Sequence, residues 1–289
     1  MERRSEAPAG GIHEIELRTG TVIASGSAVG RIGAMVLRYF YVLRSSLPRL
    51  VELAYWPSVQ VLIWGFITQF FATNSSYIVQ AFGVLLSGVL LWDVLFRAQI
   101  GVSVSFLEEM WSRNIGHLFV APLRPLEMAA AMLFMSLIRT LIAILPATLL
   151  AYFAFKYSIY SMGLPLVAFF ANLLVMGWAV GLMICGLLLR YGLAAESLAW
   201  GVVFALSPLS GVFYPITILP GWLQPVARIL PSAQVFEGMR AVLVHHRFRS
   251  DLFFNALLLN AGFLTLGVVV FLLAFRGARK RGQLLQIGE

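Results

Sequence analysis

A charged stretch, SFLEEMWSRNIGHLFVAPLRPLE (residues 105–127), stands between two long apolar segments of this sequence. The apolar segments cover residues 79–104 and 128–153, and each is close to the ~20 apolar residues with which a helix crosses a bilayer. Charged side chains are costly inside a bilayer, so the stretch has to lie at a membrane surface. It therefore predicts a loop that joins two membrane-spanning helices.

The overall composition predicts an all-α integral membrane protein. Of the 289 residues, 60% are hydrophobic and 12% are charged, and the mean hydropathy is +0.86. A soluble domain is about 25% charged, and no soluble core could bury so much apolar surface. The net charge of +8 fits arginines at a cytoplasmic membrane surface better than a nucleic-acid partner. A single cysteine, Cys185, allows neither a disulfide within the chain nor a cysteine-based metal site.

The membrane domain is predicted to cover residues 54–276, with cytoplasmic tails at 1–28 and 277–289. Six transmembrane helices are predicted, at about residues 54–72, 79–104, 128–153, 163–189, 195–214 and 253–276. Arginines are concentrated in the segments that are predicted to lie on the same side of the membrane as the N-terminus. The loop TNSSYI (73–78), on the opposite side, carries no charge. Positive charge marks cytoplasmic loops, so both termini are expected in the cytoplasm.

Residues 29–53 are predicted to form an amphipathic helix in the inner membrane interface. Arg31, Arg38 and Arg49 lie away from an apolar stripe with helical spacing. The stripe consists of Ile32, Met35, Val36, Tyr39, Phe40, Leu43, Leu47 and Leu50. Such a helix places its apolar side among acyl chains and its arginines toward anionic headgroups. A seventh, short span is the alternative, and the arginines count against it.

Residues 106–119 are predicted to form a second amphipathic helix, in the loop that contains the charged stretch. Its polar side carries Glu109, Ser112, Arg113, Gly116 and His117, and its apolar side carries Phe106, Leu107, Met110, Trp111, Ile115 and Leu118. Glu109 and Arg113 are spaced to form an ion pair across one helical turn. Two interpretations stay open: an interfacial connector, and a segment that docks into a groove of a protein partner.

Three charges are predicted to lie within the membrane. Asp93 and Arg97 are four residues apart in the second span, and Arg139 lies in the third. Intramembrane charges usually pair inside the helix bundle, so Asp93 is expected to contact Arg97 or Arg139. The favoured role is a structural lock, and substrate contact is the alternative.

Residues 207–243 contain five prolines after a short fifth span, so a continuous helix is not expected there. A re-entrant pair of short helices on the outer side fits, since irregular backbone at membrane depth has to be covered by protein or water. The segment is interpreted either as an outer gate or as a loop that closes the bundle.

The order of these segments resembles the permease subunit of ABC-2 type exporters, from about residue 28 to 280. Two stretches are similar to family patterns: LEEMWSRNIGHLFVAPLRPLE (107–127) and SPLSGVFYPITILPGWLQPVARILPSAQVFEGMRAVL (207–243). In the second, the matching positions are Gly211, Phe213, Pro215, Leu219, Pro220, Trp222, Leu223, Pro231, Glu237 and Arg240.

The resemblance implies that a coupling helix within 106–119 seats in a cleft of a separate ATPase subunit. It assigns ATPase coupling to Glu108, Glu109, Trp111, Arg113, Asn114 and His117. It assigns the outer gate to Phe213, Tyr214, Pro215, Pro220, Trp222, Glu237 and Arg240. ATP and Mg²⁺ are expected on the partner, because this chain has no G-x-x-x-x-G-K-[ST] motif to hold phosphates. No cofactor, metal or catalytic site is expected on the chain itself.

The resemblance further implies a homodimer that binds two ATPase subunits in a bacterial inner membrane, in contact with lipids. It implies export of an amphiphile, such as a lipid, a lipid-linked glycan or a drug. Two other classes remain alternatives. A polytopic membrane enzyme acting on lipids would need convergent carboxylates or histidines, which the sequence does not show. An ion-driven secondary carrier would need paired broken helices in two inverted halves, and only one broken segment is predicted.

Overall fold

The computed structural model describes residues 27–74, 79–120 and 123–280, and every regular element within these ranges is helical. The helices are α1 (Ala28–Arg44), α2 (Leu47–Asn74), α3 (Val79–Trp111), α4 (Ile115–Val120), α5 (Pro125–Phe155), α6 (Leu164–Tyr191), α7 (Glu196–Ser210), α8 (Gln224–Arg228), α9 (Pro231–His245) and α10 (Ser250–Lys280). Short 3-10 turns lie at Ile159–Met162, Gly192–Ala195 and Ile216–Ile218. The predicted tails lie largely outside the described residues.

Local capping determines where two of these helices begin. Ser27 Oγ accepts a hydrogen bond from Gly30 N at 3.1 Å, which starts α1. In α5, Pro125 occupies the first turn and Glu127 Oε2 accepts a bond from Arg124 N at 3.0 Å.

The amphipathic helix predicted at residues 29–53 is shorter than expected. It ends at Arg44, and the last residues of that range form the start of α2. Helix α2 is therefore longer than the predicted first span and begins before the apolar part of its sequence.

Five stretches in the described ranges are long and apolar enough to cross a membrane. They are Leu47–Phe70, Gly83–Trp111, Pro125–Phe155, Leu164–Ser210 and Ser250–Lys280. The fourth predicted span and most of the fifth fall within Leu164–Ser210, which contains α6, a 3-10 turn and α7. Because α7 has only 15 residues, it is shorter than the ~20 residues of an ordinary span. The chain is a multi-pass membrane protein, and the count of six spans is not confirmed.

Helix α6 lies at the centre of the bundle, between α3 and α10. Gly177 and Gly181 bring it close to α3: a Cβ atom added at Gly177 would lie 2.6 Å from Ala98 Cβ and 2.7 Å from Leu95 O. On the other side, a Cβ atom added at Gly267 of α10 would lie 2.6 Å from Ala179 O. Small residues at such spacing let helix backbones approach closely in a membrane, where the packing supplies much of the association energy.

Buried polar side chains join the same helices. Asn260 Nδ2 of α10 donates to Asn172 O at 3.0 Å and to Asn172 Oδ1 at 2.9 Å on α6. Gln99 Nε2 of α3 donates to Ala199 O of α7 at 3.0 Å, and Ser136 Oγ of α5 donates to Ala98 O at 2.7 Å. Each bond satisfies a polar group that neither lipid nor water can reach.

The spanning helices differ in how far they are covered by the rest of the chain. In their most apolar parts, 72% of the residues of α3 and 78% of those of the α6–α7 stretch are buried, against 17% in α2 and 22% in α10. Helices α3 and α6 therefore form the inside of the bundle, α2 and α10 face outward, and α7 leaves Trp200 and Phe204 exposed. Phe66 and Phe70 are among the exposed apolar side chains of α2.

The close approach of α3 and α6 can be tested by adding one methyl group. We expect Gly177→Ala to destabilise the fold by roughly 1–3 kcal/mol, because α3 has to move to make room. The control is Gly201→Ala on α7, where the added methyl meets open space and helix propensity favours alanine. Melting temperatures in detergent compare both variants with the wild type, and an unchanged value for Gly177→Ala would contradict this packing.

Candidate functional site

The charged stretch forms a helix end, a turn and a short helix, so the single helix predicted at 106–119 is wrong. Helix α3 runs to Trp111, and α4 starts at Ile115. Between them, Arg113 adopts a left-handed conformation with φ 54°. Arg113 N donates to Met110 O at 3.0 Å and Asn114 N donates to Glu109 O at 3.0 Å. This is the hydrogen-bond pattern of a Schellman motif, which ends a helix and usually has glycine where Arg113 stands.

Glu109 points into the protein, where only 2% of it is exposed. Its Oε2 atom accepts bonds from Arg38 Nη2 of α1 at 2.8 Å and from Asn114 Nδ2 at 2.8 Å. These two bonds replace the predicted ion pair between Glu109 and Arg113. That pair required Arg113 to lie on the same helix as Glu109, and α3 ends at Trp111. Glu109 thus ties the end of α3 to α1 and to the turn that follows it.

Glu108 joins three helices. Its Oε1 atom accepts a bond from Arg49 Nη1 of α2 at 3.0 Å, and its Oε2 atom accepts one from Arg139 Nη2 of α5 at 3.0 Å. Only 13% of the Glu108 side chain and 6% of the Arg139 side chain is exposed. Arg139, one of the two predicted partners of Asp93, is therefore engaged with Glu108.

Glu127, which the sequence did not single out as a site residue, completes this set of carboxylates. It receives two bonds from Arg31 of α1: Arg31 Nε lies 2.9 Å from Oε2, and Arg31 Nη2 lies 2.5 Å from Oε1. A bidentate guanidinium–carboxylate contact is among the strongest hydrogen-bonded pairs in proteins. We call Glu108, Glu109, Glu127 and their arginines the inner ion-pair cluster, after the membrane surface at which the sequence predicts them.

The arginines of residues 29–53 have other partners than the sequence predicted. Arg31, Arg38 and Arg49 each contact a carboxylate, whereas the sequence predicted that they point toward lipid headgroups. The apolar stripe of α1 packs on the same part of the protein, since Met35, Tyr39 and Leu43 are buried in a hydrophobic core with α3 and α5. Helix α1 is therefore attached to the bundle both by its apolar stripe and by the ion pairs of Arg31 and Arg38.

A cavity of about 340 Å³ opens beside the cluster. It is lined by Arg38, Tyr39, Val42, Arg49, Glu108, Glu109, Trp111 and Ser112. Burial and the charge of Glu109 raise the pKa of Tyr39 well above its usual range, so its hydroxyl stays protonated near that carboxylate.

The turn of the charged stretch is exposed. Trp111 is 49% exposed and its Nε1 atom donates to Glu196 Oε2 of α7 at 3.3 Å. Ser112 and Arg113 are exposed and Asn114 is half-buried. Of the residues assigned to coupling, the two glutamates are thus held inside the cluster, and Trp111, Arg113 and Asn114 are accessible to a partner. The side chain of His117 lies outside the described residues.

The segment predicted at 207–243 contains the short helices α8 and α9 and a braced turn. Glu237 Oε1 on α9 accepts bonds from Ile216 N at 2.9 Å and from Arg240 Nη2 at 3.0 Å. Arg240 Nη1 donates to Gly211 O at 2.8 Å. Gly211 has φ 61°, and an added Cβ atom would lie 3.0 Å from Tyr214 O. Two side chains of α9 therefore hold the backbone of the turn that follows α7.

The other residues assigned to the outer gate surround this turn. Phe213 stacks on Trp64 of α2, with ring centroids 4.4 Å apart, and Tyr214 Oη donates to Pro208 O at 2.9 Å. Pro215 precedes the 3-10 turn at Ile216–Ile218. Pro220 precedes an exposed loop in which 74% of Trp222 is accessible. The turn thus bridges α2, α7 and α9.

Asp93 contacts Arg97, the other of its two predicted partners. Arg97 Nε lies 3.4 Å from Asp93 Oδ2, and both side chains are largely buried in α3.

Comparison with known proteins identifies a family. A family model described as ABC-2 type transporter matches residues 45–244. No curated protein matches the chain.

The buried half of the inner cluster can be tested by neutralising one carboxylate. Glu109→Gln leaves the Arg38 guanidinium without its counter-charge, and we expect a loss of roughly 1–3 kcal/mol of stability. The control is Asp251→Asn, which removes the carboxylate of an exposed pair with Arg249 whose side chains are 53% and 57% accessible, and which should change little. Equal melting temperatures for the two variants would contradict the cluster.

The braced outer turn can be tested by hydrogen exchange. In Glu237→Gln the carboxylate that binds both Ile216 N and Arg240 becomes a neutral amide. We expect amides of residues 211–219 to exchange about tenfold faster, since a hydrogen bond to a charged group contributes ~1.5–3 kcal/mol. Exchange in α6 serves as the internal control. Unchanged exchange at 211–219 would show that Glu237 does not hold the turn.

Proposed function

Since the chain belongs to the ABC-2 type transporter family, whose model covers residues 45–244, we propose that it is the membrane permease subunit of an ATP-driven exporter. It forms a homodimer and binds two copies of an ATPase subunit. The observation that carries this proposal is the turn at residues 111–114, which exposes Trp111, Ser112 and Arg113 directly after the buried carboxylates of the ion-pair cluster.

The cluster explains how a push on that turn would reach the spanning helices. Glu109 and Asn114 attach the turn to α1 through Arg38, and Glu108 attaches the end of α3 to α2 and α5. A displacement of the turn therefore carries three spans and α1 together. ATP and Mg²⁺ belong to the partner subunit, which supplies the energy of ATP binding and hydrolysis. This chain contributes the contact and the path, and no catalytic group.

The translocation path is assigned to the interface between two copies of the chain, lined by α2, α3 and α7. Two features support this placement. Helix α2 is the least covered span, and α7 exposes Trp200 and Phe204, at 42% and 66%. The braced turn after α7 and the exposed loop around Trp222 lie at the end of that path and act as its outer gate. The exported compound is an amphiphile such as a lipid, a lipid-linked glycan or a drug.

The chain is placed in the inner membrane of a bacterium, with both termini and the turn at 111–114 in the cytoplasm. This placement is supported by the arginines, which are concentrated before the first span, in the charged stretch and after the last span, as expected for cytoplasmic segments. The ATPase is then on the side where ATP is available.

Purification from the native membrane in mild detergent tests the proposal. We expect the tagged chain to bring down an ATPase, identified by mass spectrometry. The double variant Trp111→Ala, Arg113→Glu changes only exposed side chains and should reduce recovery of the ATPase at least tenfold.

The matched control is Trp222→Ala, Arg228→Glu, which makes the same changes at exposed positions of the outer segment and should leave recovery unchanged. Absence of any ATPase from a monodisperse wild-type sample would contradict the permease function. Equal loss in both variants would contradict the coupling surface.

A further inference from the structure

Asp93 and Arg97 form a buried ion pair that joins no two helices. Both residues belong to α3, four positions apart, and their side chains are 13% and 8% exposed. In the inner cluster, by contrast, Glu108, Glu109 and Glu127 each contact an arginine of another helix. A pair within one helix does not fix the register between helices. The interpretation of Asp93 as a structural lock therefore loses its basis.

The hydrogen bond between Arg97 and Asp93 is also long for a buried ion pair. Arg97 Nε and Asp93 Oδ2 are 3.4 Å apart, whereas charge-assisted N–H···O bonds are typically about 2.7–2.9 Å. Removing both charges from water costs free energy, and a single long hydrogen bond offsets only a small part of that desolvation cost. Charged residues retained inside a membrane at such a cost usually serve a substrate or ion path.

On one side of the buried pair, aromatic side chains lead to an exposed position on α7. The guanidinium carbon of Arg97 lies 5.8 Å from the ring centre of Phe96. Phe96 in turn packs edge-on against Phe204 of α7, with ring centroids 6.1 Å apart, and 66% of Phe204 is exposed. A cation thus lies next to an apolar surface that extends to the open face of α7.

We propose that Arg97 binds the anionic headgroup of an amphiphile, and that Asp93 holds the guanidinium when no headgroup is present. The ligand carries a phosphate or a carboxylate on an apolar chain, and the chain lies along Phe96 and Phe204. A guanidinium binds phosphate in a bidentate way with shorter bonds than the present contact. That the amphiphile is the exported compound rests on the proposed function, and binding of the headgroup does not.

Photolabelling of the purified full-length chain in phosphatidylcholine nanodiscs tests the site. The probes are phosphatidic acid and diacylglycerol that carry the same photoreactive acyl chain, and the labelled peptides are mapped by mass spectrometry. In the wild type, α3 and α7 should be labelled at least fivefold more by phosphatidic acid. Arg97→Gln should reduce labelling by phosphatidic acid to the level of diacylglycerol. Asp93→Asn should preserve or increase labelling by phosphatidic acid, because the carboxylate no longer competes with the headgroup for Arg97. Arg190→Gln, at an exposed position near the end of α6, is the control and should have no effect.

Equal labelling by both probes in the wild type, or labelling that Arg97→Gln leaves unchanged, would overturn the proposal. Loss of labelling in both Arg97→Gln and Asp93→Asn would also overturn it, since the pair would then be a structural unit. With the co-purified ATPase, ATP and vanadate should lower the labelling if the amphiphile is exported, and leave it unchanged if the amphiphile is a resident lipid bound through the same headgroup. The labelling requires no ATPase and the co-purification requires no probe, so the two proposals fail independently.

Discussion

Carboxylates at the inner end of the bundle are neutralised by arginines from other helices, and the arrangement of that end depends on these contacts. Glu109 is almost fully buried and contacts Arg38 of α1. Glu127 receives two bonds from Arg31. An unpaired buried carboxylate costs several kcal/mol, so α1 has to stay against α3 and α5. The apolar side of α1 adds to this attachment, because Met35, Tyr39 and Leu43 enter the same core.

The centre and the outer end of the bundle are held by other means. Close helix contacts at Gly177 and Gly267 and the Asn172–Asn260 bonds hold α6 between α3 and α10. At the outer end, Glu237 and Arg240 hold a turn of irregular backbone. The inner end, the centre and the outer end of the bundle are thus each held by contacts between helices, and α2 is the least covered of the spanning helices described.

The membrane class, the positions of the long helices and the family could be predicted from the sequence. Apolar length alone predicts α5, α6 and α10 within four residues, because a spanning helix satisfies its own backbone groups, whereas α3 continues seven residues beyond the predicted end of its span, to Trp111. The proline-rich stretch at 207–243 carried the family resemblance and also forms the short helices α8 and α9. The fifth span was less well predicted, since α7 ends at Ser210 and has only 15 residues. The helix expected at 106–119 was wrong because Arg113, without the usual glycine, takes the left-handed position that ends α3.

Partner choice among the charged residues could not be predicted in the same way. Spacing along the sequence identified Arg97 as a partner of Asp93, because both lie on one helix. It also predicted a Glu109–Arg113 pair, which the end of α3 prevents, and lipid headgroups for Arg31, Arg38 and Arg49. By itself the sequence determined that this chain lies in a membrane, where its long apolar helices are and which family it belongs to, since these follow from apolar length and local motifs. Only the tertiary structure decided which arginine neutralises which carboxylate. A guanidinium on a long, flexible side chain can reach several carboxylates, and the packing of distant helices determines which of them is close enough.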